Sequence, residues 1–256
     1  MTWPVDVSVY AGLAALFLGH AWLAGRVSDA QRKHSLSFGL GLVVLWLALE
    51  TPLDTIGDHY LDSVHMFQHV LLGFVAPPLM LLGLSSQMVG QIVRVPGVRA
   101  LTEPVPAQVI AGLVMIVWHL PLLYNATLYS EPLHIVEHVS FIAAGVVMYW
   151  PMLQATSAQA RWQMSPGAKL LYMLLATLPQ DGVALALIFS RVPFYDYYTH
   201  APRLIPSLTP LIDQTVAGAT LMTFGKATIV VAAIAVFFRW FASDQRADQA
   251  HAIARL

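Results

Sequence analysis

The chain has 256 residues, 57% of them hydrophobic and only 11% charged. Soluble domains carry roughly twice that share of charge, so this surface is not built for water, and a net charge of -1 argues against nucleic acid as a partner. With no cysteine, disulfides and thiolate metal sites are excluded, and any metal must be held by imidazole, carboxylate, thioether or backbone oxygen.

Met1 to Pro4 offers neither a basic region nor a cleavage signal, so the first apolar stretch is expected to be a retained helix rather than a removed leader. A membrane-spanning helix needs about 20 apolar residues. In chain order the candidates are Val5–Gly25, Leu36–Thr51, Val64–Leu84, Ala107–Leu128, Leu133–Leu153, Leu170–Phe189 and Leu211–Phe241. The expected fold is therefore all-α: a polytopic membrane protein, one domain over residues 1–256, folded as a seven-helix transmembrane bundle. Pro77-Pro78 and Pro121 are expected to kink or end the third and fourth spans.

Basic residues set direction, because Lys and Arg are retained on the cytoplasmic side during insertion. Arg26, Arg32, Lys33, Arg94, Arg99, Arg161, Lys169, Arg239, Arg246 and Arg255 fall on one side; only Arg191 and Arg203 fall on the other. This bias puts the N-terminus outside and the C-terminus in the cytoplasm. Acidic residues lean outward instead: Asp54, Asp58, Asp62, Glu131, Asp196 and Asp213. An outer mouth that attracts cations would explain them, as would ordinary solvated loops.

Once direction is set, helical rise gives depth. His65 and His69 open the third span, His119 closes the fourth, and His134 and His138 open the fifth, all at the outer face. Each i,i+4 pair lies on one helix face and can chelate one ion. Asp58 and Asp62 extend the stripe of His65 and His69 if that helix starts early. Polar side chains in a membrane helix usually face the bundle interior, where they pair, relay or bind. Five imidazoles at one level point to a metal more than to interhelical hydrogen bonds. Imidazole suits zinc, copper, iron and nickel, and a thioether from Met66 or Met222 would favour Cu(I). Met66, one residue after His65, is expected to point off the shared face.

Among other polar residues, Asp181 and Lys226 fall near mid-membrane and are expected to pair, because an isolated charge there is costly. Asp213 is expected to be a metal ligand, a partner for a ligating histidine, or a cap for its own helix. Tyr60, Trp118, Tyr124, Tyr149, Trp150, Tyr195, Tyr197 and Tyr198 fit the aromatic belt of a bilayer boundary.

The chain resembles the CtaG-type seven-helix assembly factors of bacterial cytochrome oxidases. The likeness runs from about Asp54 to Gly225 and is carried by His65-Met66-x-Gln68-His69 with Pro77-Pro78, Trp118-His119-x-Pro121 and His134-x-x-Glu137-His138. Tyr149-Trp150-Pro151, Pro193-x-Tyr195-x-x-Tyr198 and Asp213-Gln214…Gly218…Met222 complete it. One departure is Thr223, where a tryptophan commonly follows the methionine. The resemblance implies a bacterial plasma-membrane protein that matures a haem–copper oxidase by handling copper at the outer face. Its implied partners are an oxidase subunit and a periplasmic copper donor.

Four other readings remain open. His134-x-x-Glu137-His138 matches the short signature of inverted zinc metallopeptidases, with Glu137 activating water. Paired histidines on facing helices could ligate haem. A metal permease would need a polar path through the membrane, and a scaffold for the oxidase would need no metal at all.

Overall fold

The computed structural model describes residues 5–27 and 35–253. Met1 to Pro4, Arg32, Lys33, His34 and Arg255 lie outside them. Among the described residues the only regular elements are helices. Five are long and apolar enough to cross a membrane, and seven spans result if each of two bent pairs counts as one.

Helix α1 (Val7–Ala24) starts where the Asp6 carboxylate accepts from the Ser8 N–H, a side-chain cap of the usual kind. It lies mostly outside the core. The second expected span is a bent pair, α2 (Ser35–Leu49) and α3 (Pro52–His59), with a 46° change of direction. Thr51 caps the new segment and Pro52 fits its first turn, where a missing N–H costs nothing. The chain thus turns instead of ending at Thr51.

The third span, Asp62–Leu82, is one helix in three parts: α4 (Asp62–Val70), a π-helical turn at Leu71–Val75, and α5 (Ala76–Leu82). Pro77 and Pro78 neither end nor sharply kink it. The wide turn just before them absorbs the irregularity that proline imposes on an α-helical ladder. The Gly73 carbonyl, which would otherwise accept from residue 77, faces Gly145 across the bundle, and a side chain there would collide with it. Glycine at 145 is what allows this close approach.

Short helices α6 (Ser86–Ile92) and α7 (Val98–Leu101) lead to the fourth span, which is the second bent pair. Here α8 (Pro104–Trp118) meets α9 (Pro121–Tyr129) at 71°, with His119 in the break. The span expected over Ala107–Leu128 is therefore two segments, bent at the proline where a kink or an end was expected. Pro121 cannot continue the ladder of α8, but it can begin α9.

Helix α10 (Glu131–Tyr149), extended by a 3-10 turn at Trp150–Met152, forms the fifth span. After α11 (Gln154–Ser157), α12 (Pro166–Phe189) forms the sixth. Short α13 (Asp196–His200) precedes the long α14 (Pro210–Ile253), whose apolar portion is Pro210–Ala242.

The two ends of the bundle differ. At one end the Asp6 N–H donates to Glu50 Oε1 at 3.0 Å, and α3, α9 and α13 fold over the helix ends. At the other, His20 Nε2 lies 3.1 Å from the Gly83 carbonyl, and the Arg161 N–H donates to Glu103 Oε1 at 3.2 Å. The five histidines singled out from the sequence gather at the first end.

Candidate metal centre

Helix α4 carries His65 and His69 on one face, both completely buried. Their Nε2 atoms face each other at 2.9 Å. Helix α10 brings His134 and His138 against them, with ring centroids 5.3 Å (His65–His134), 6.0 Å (His65–His138) and 5.8 Å (His69–His138) apart. Two groups of donor atoms lie within 4.8 Å of one another: His65, His134 and His138, and His65, His69 and Glu137. Metal–nitrogen bonds of about 2.0 Å set tetrahedral donors roughly 3.3 Å apart, so modest ring rotation would close either group on one ion.

The carboxylates make the cluster more than a stack of rings. Asp58, near the end of α3, places Oδ1 3.4 Å from His65 Nδ1 and Oδ2 3.6 Å from His134 Nδ1. Glu137 lies on α10 with Oε1 3.7 Å from His69 Nε2. His134 Nε2, His138 Nε2, His69 Nδ1 and both Glu137 oxygens are buried with no hydrogen-bond partner among the described residues. Orphaned buried polar atoms are costly and uncommon. A cation would satisfy several of these at once.

The cluster is roofed, which corrects the expectation of histidines at an open surface. Tyr198 Oη donates to the Gly57 carbonyl at 2.7 Å and lies 3.3 Å from His65 Nδ1. Tyr124 stacks on Tyr195 with centroids 3.8 Å apart. Tyr195 Oη donates to the His119 carbonyl at 3.1 Å. Burial, helped by the nearby Asp62 carboxylate, pushes the Tyr195 and Tyr198 phenols well above their ordinary values, so both remain hydrogen-bond donors. These tyrosines, with buried Tyr124, Tyr149 and Trp150, do not belong to a lipid-facing belt. Only the order of motifs, not composition, marked them. Gly57 completes the roof: a Cβ there would press on the His65 backbone at 3.1 Å.

Several expected site residues take other places. Asp62 does not extend the histidine stripe, because the helix breaks at Tyr60–Leu61 and restarts; it accepts instead from Tyr124 Oη at 2.7 Å. Asp213 caps α4 rather than its own helix. Its Oδ2 accepts the Asp62 N–H at 2.7 Å, and its Oδ1 accepts the Ser63 N–H at 3.3 Å and the Ser63 hydroxyl at 2.5 Å. Met222 is half-buried against the core and makes no hydrogen bond to these histidines among the described residues. Met66, expected to point away, is completely buried with its sulfur 3.3 Å from His119 Nε2. His119 itself is not part of either donor group. Away from the cluster, Lys226 Nζ lies 3.0 Å from Asp181 Oδ1.

Gln68 was not singled out as a site residue. Its amide donates to Asp54 Oδ1 at 2.7 Å and to the Ala48 carbonyl at 3.0 Å, tying α4 to both halves of the bent pair. A cleft of about 730 Å³ between α1, α2, α3 and α10 reaches the cluster from the side. Asp6, Asp54, Asp58 and Glu131 line it, with His134 and His138 at its inner wall.

Fold and site together define a polytopic helical membrane protein with a buried imidazole–carboxylate cluster near one end. Residues 15–243 match the family model described as the cytochrome c oxidase caa3 assembly factor, Caa3_CtaG, and the chain belongs to that family. Neither curated proteins nor solved structures give a match.

Proposed function

We propose that the protein handles copper during assembly of a haem–copper oxidase, binding it through the imidazole cluster at the outer side of the bacterial plasma membrane. The observation that carries this reading is the convergence of His65, His69, His134 and His138 with Glu137 and Asp58 around donor atoms that find no hydrogen-bond partner among the described residues. Membership of an oxidase assembly family supplies the context, and the partners follow from it: a copper-bearing oxidase subunit and a donor that delivers the ion.

The donor set suits a carrier. Imidazole and carboxylate hold borderline metals such as copper and zinc, and no thiolate cage is present to retain them. The acidic lateral cleft gives a cation a way to ligands that the tyrosine roof covers from above. The bias of basic residues supports an outward position for this end, the side where an incoming donor would dock.

Elemental analysis of the purified protein beside a His65→Ala/His134→Ala variant tests the reading. Copper up to one equivalent is expected in the parent, with a clear loss in the variant. Equal metal in both would reject the site. In cells the same variant should lower oxidase activity, and added copper should partly restore it.

A further inference from the structure

His119 stands apart from the cluster, and its surroundings fix which ring nitrogen carries the proton. Its Nδ1 lies 2.6 Å from the Met115 carbonyl oxygen, a distance that requires an N–H on that nitrogen, since two acceptors would repel. In the neutral ring Nε2 then bears the lone pair. That lone pair faces Met66 Sδ at 3.3 Å. Thioether sulfur is itself only an acceptor, so two electron-pair donors confront each other with no proton between them.

A doubly protonated ring would satisfy both contacts, but it would bury a charge. His119 is 5% exposed, flanked by Tyr124 and Phe141, and among the described residues no carboxylate lies within ion-pair distance of it. Burying an uncompensated cation is strongly unfavourable. A soft cation placed between the nitrogen and the sulfur removes the conflict. Bond lengths of about 2.0 Å to nitrogen and about 2.3 Å to sulfur put such donors roughly 3.3–3.8 Å apart at angles of about 100–120°. The pair therefore needs little movement to chelate a three- or four-coordinate ion; a linear two-coordinate ion would need the donors roughly 4.3 Å apart, an opening of about 1 Å.

We infer that His119 Nε2 and Met66 Sδ form a separate subsite for a soft monovalent ion, Cu(I). It adjoins the imidazole–carboxylate cluster through His69, whose ring lies 5.5 Å from that of His119. The hard carboxylates Asp58 and Glu137 belong to the cluster, whereas the subsite has one imidazole, one thioether and aromatic walls, a set that selects Cu(I) over divalent ions. The choice of copper as the ion rests on the proposed function; the chelating geometry does not.

The test uses detergent-purified full-length protein carrying selenomethionine, loaded anaerobically with one equivalent of Cu(I) and studied by X-ray absorption at the copper edge. The His65→Ala/His134→Ala variant is measured in parallel so that the cluster does not compete. Copper–selenium scattering is expected in the double variant, and its loss in a triple variant that adds Met66→Leu. In the double-variant background, Met66→Leu should weaken Cu(I) binding at least tenfold in competition with a chromogenic chelator; in an otherwise parental chain it should leave Zn(II) binding at the cluster unchanged. No copper–selenium scattering in the double variant, or scattering that survives Met66→Leu, would overturn the subsite. Should the triple variant fail to fold, the selenium signal in the double variant decides alone. Zn(II) lost from the double variant without any selenium signal would leave the cluster standing and remove the subsite. A selenium signal combined with equal metal in parent and double variant would do the reverse.

Discussion

Asp58 is placed where it can orient two imidazoles. A ligating histidine almost always donates its other ring N–H to an acceptor, and losing such an acceptor typically costs 10- to 100-fold in metal affinity. The two oxygens of Asp58 stand near Nδ1 of His65 and of His134, turning Nε2 of each ring toward the interior. Asp58→Asn keeps the shape but replaces one acceptor oxygen with a donor, so one ring loses its orientation. The expected outcome is a fall in Zn(II) or copper affinity of roughly 10- to 100-fold, read by competitive titration, with the thermal midpoint in the absence of metal little changed. Parental affinity would show that Asp58 does not orient the ligands. At this scale the sequence showed which residue types matter better than which way they point. Spacing of four put His65 with His69 and His134 with His138 on shared faces, as found. It could not show Met66 turned toward His119 or Asp213 capping a helix 150 residues away, because both depend on how separate helices rotate against each other.

Elements were legible where apolar length alone sets them. The first, third, fifth, sixth and seventh spans lie close to where hydropathy puts them. The second and fourth do not stay straight, because capping and proline chemistry at Thr51–Pro52 and Leu120–Pro121 restart each helix in a new direction. Those two restarts make the roof: α3 brings Asp58 and Gly57 over His65, and α9 brings Tyr124 beside the rings. The bend at Pro121 was legible as a kink or an end, though not its direction; the π-helical turn was hidden, since Pro77-Pro78 alone reads as a break. What stabilises the turn is tertiary: α10 lies against it at Gly145, where a methyl group would meet the Gly73 carbonyl and the Pro77 ring. Gly145→Ala should therefore lower the thermal midpoint in detergent, with a cost of about 1–3 kcal/mol as expected for overpacking. Gly182→Ala is the matched control. A Cβ at 182 meets nothing within 4 Å, so the helix-propensity gain of about 0.5–1 kcal/mol should leave that variant neutral or slightly more stable. Equal behaviour of the two variants would show that the contact between α10 and the π turn carries no weight.

For the whole molecule, the direction of insertion determines what the cluster can serve. A metal taken from the periplasm and passed to an oxidase centre on the same side must be reached from outside, whereas a cytoplasmic cluster would serve a different exchange. The bias of basic residues is the physical ground for expecting the histidine end outside, because translocating Lys or Arg is disfavoured. Arg161 sits beside Glu103 at the end away from the histidines. The absence of cysteine gives a direct experiment on the intact fold. His200 on α13, with its side chain 74% exposed, marks the histidine end; Trp162, 65% exposed, marks the other. In intact cells with a permeable outer envelope, a membrane-impermeant maleimide should label His200→Cys at once and Trp162→Cys only after lysis. The opposite pattern would invert the protein, put the cluster in the cytoplasm and exclude a periplasmic donor. Labelling of both positions before lysis would mean that the inner membrane is not sealed, which a cytoplasmic marker enzyme scored in the same sample detects.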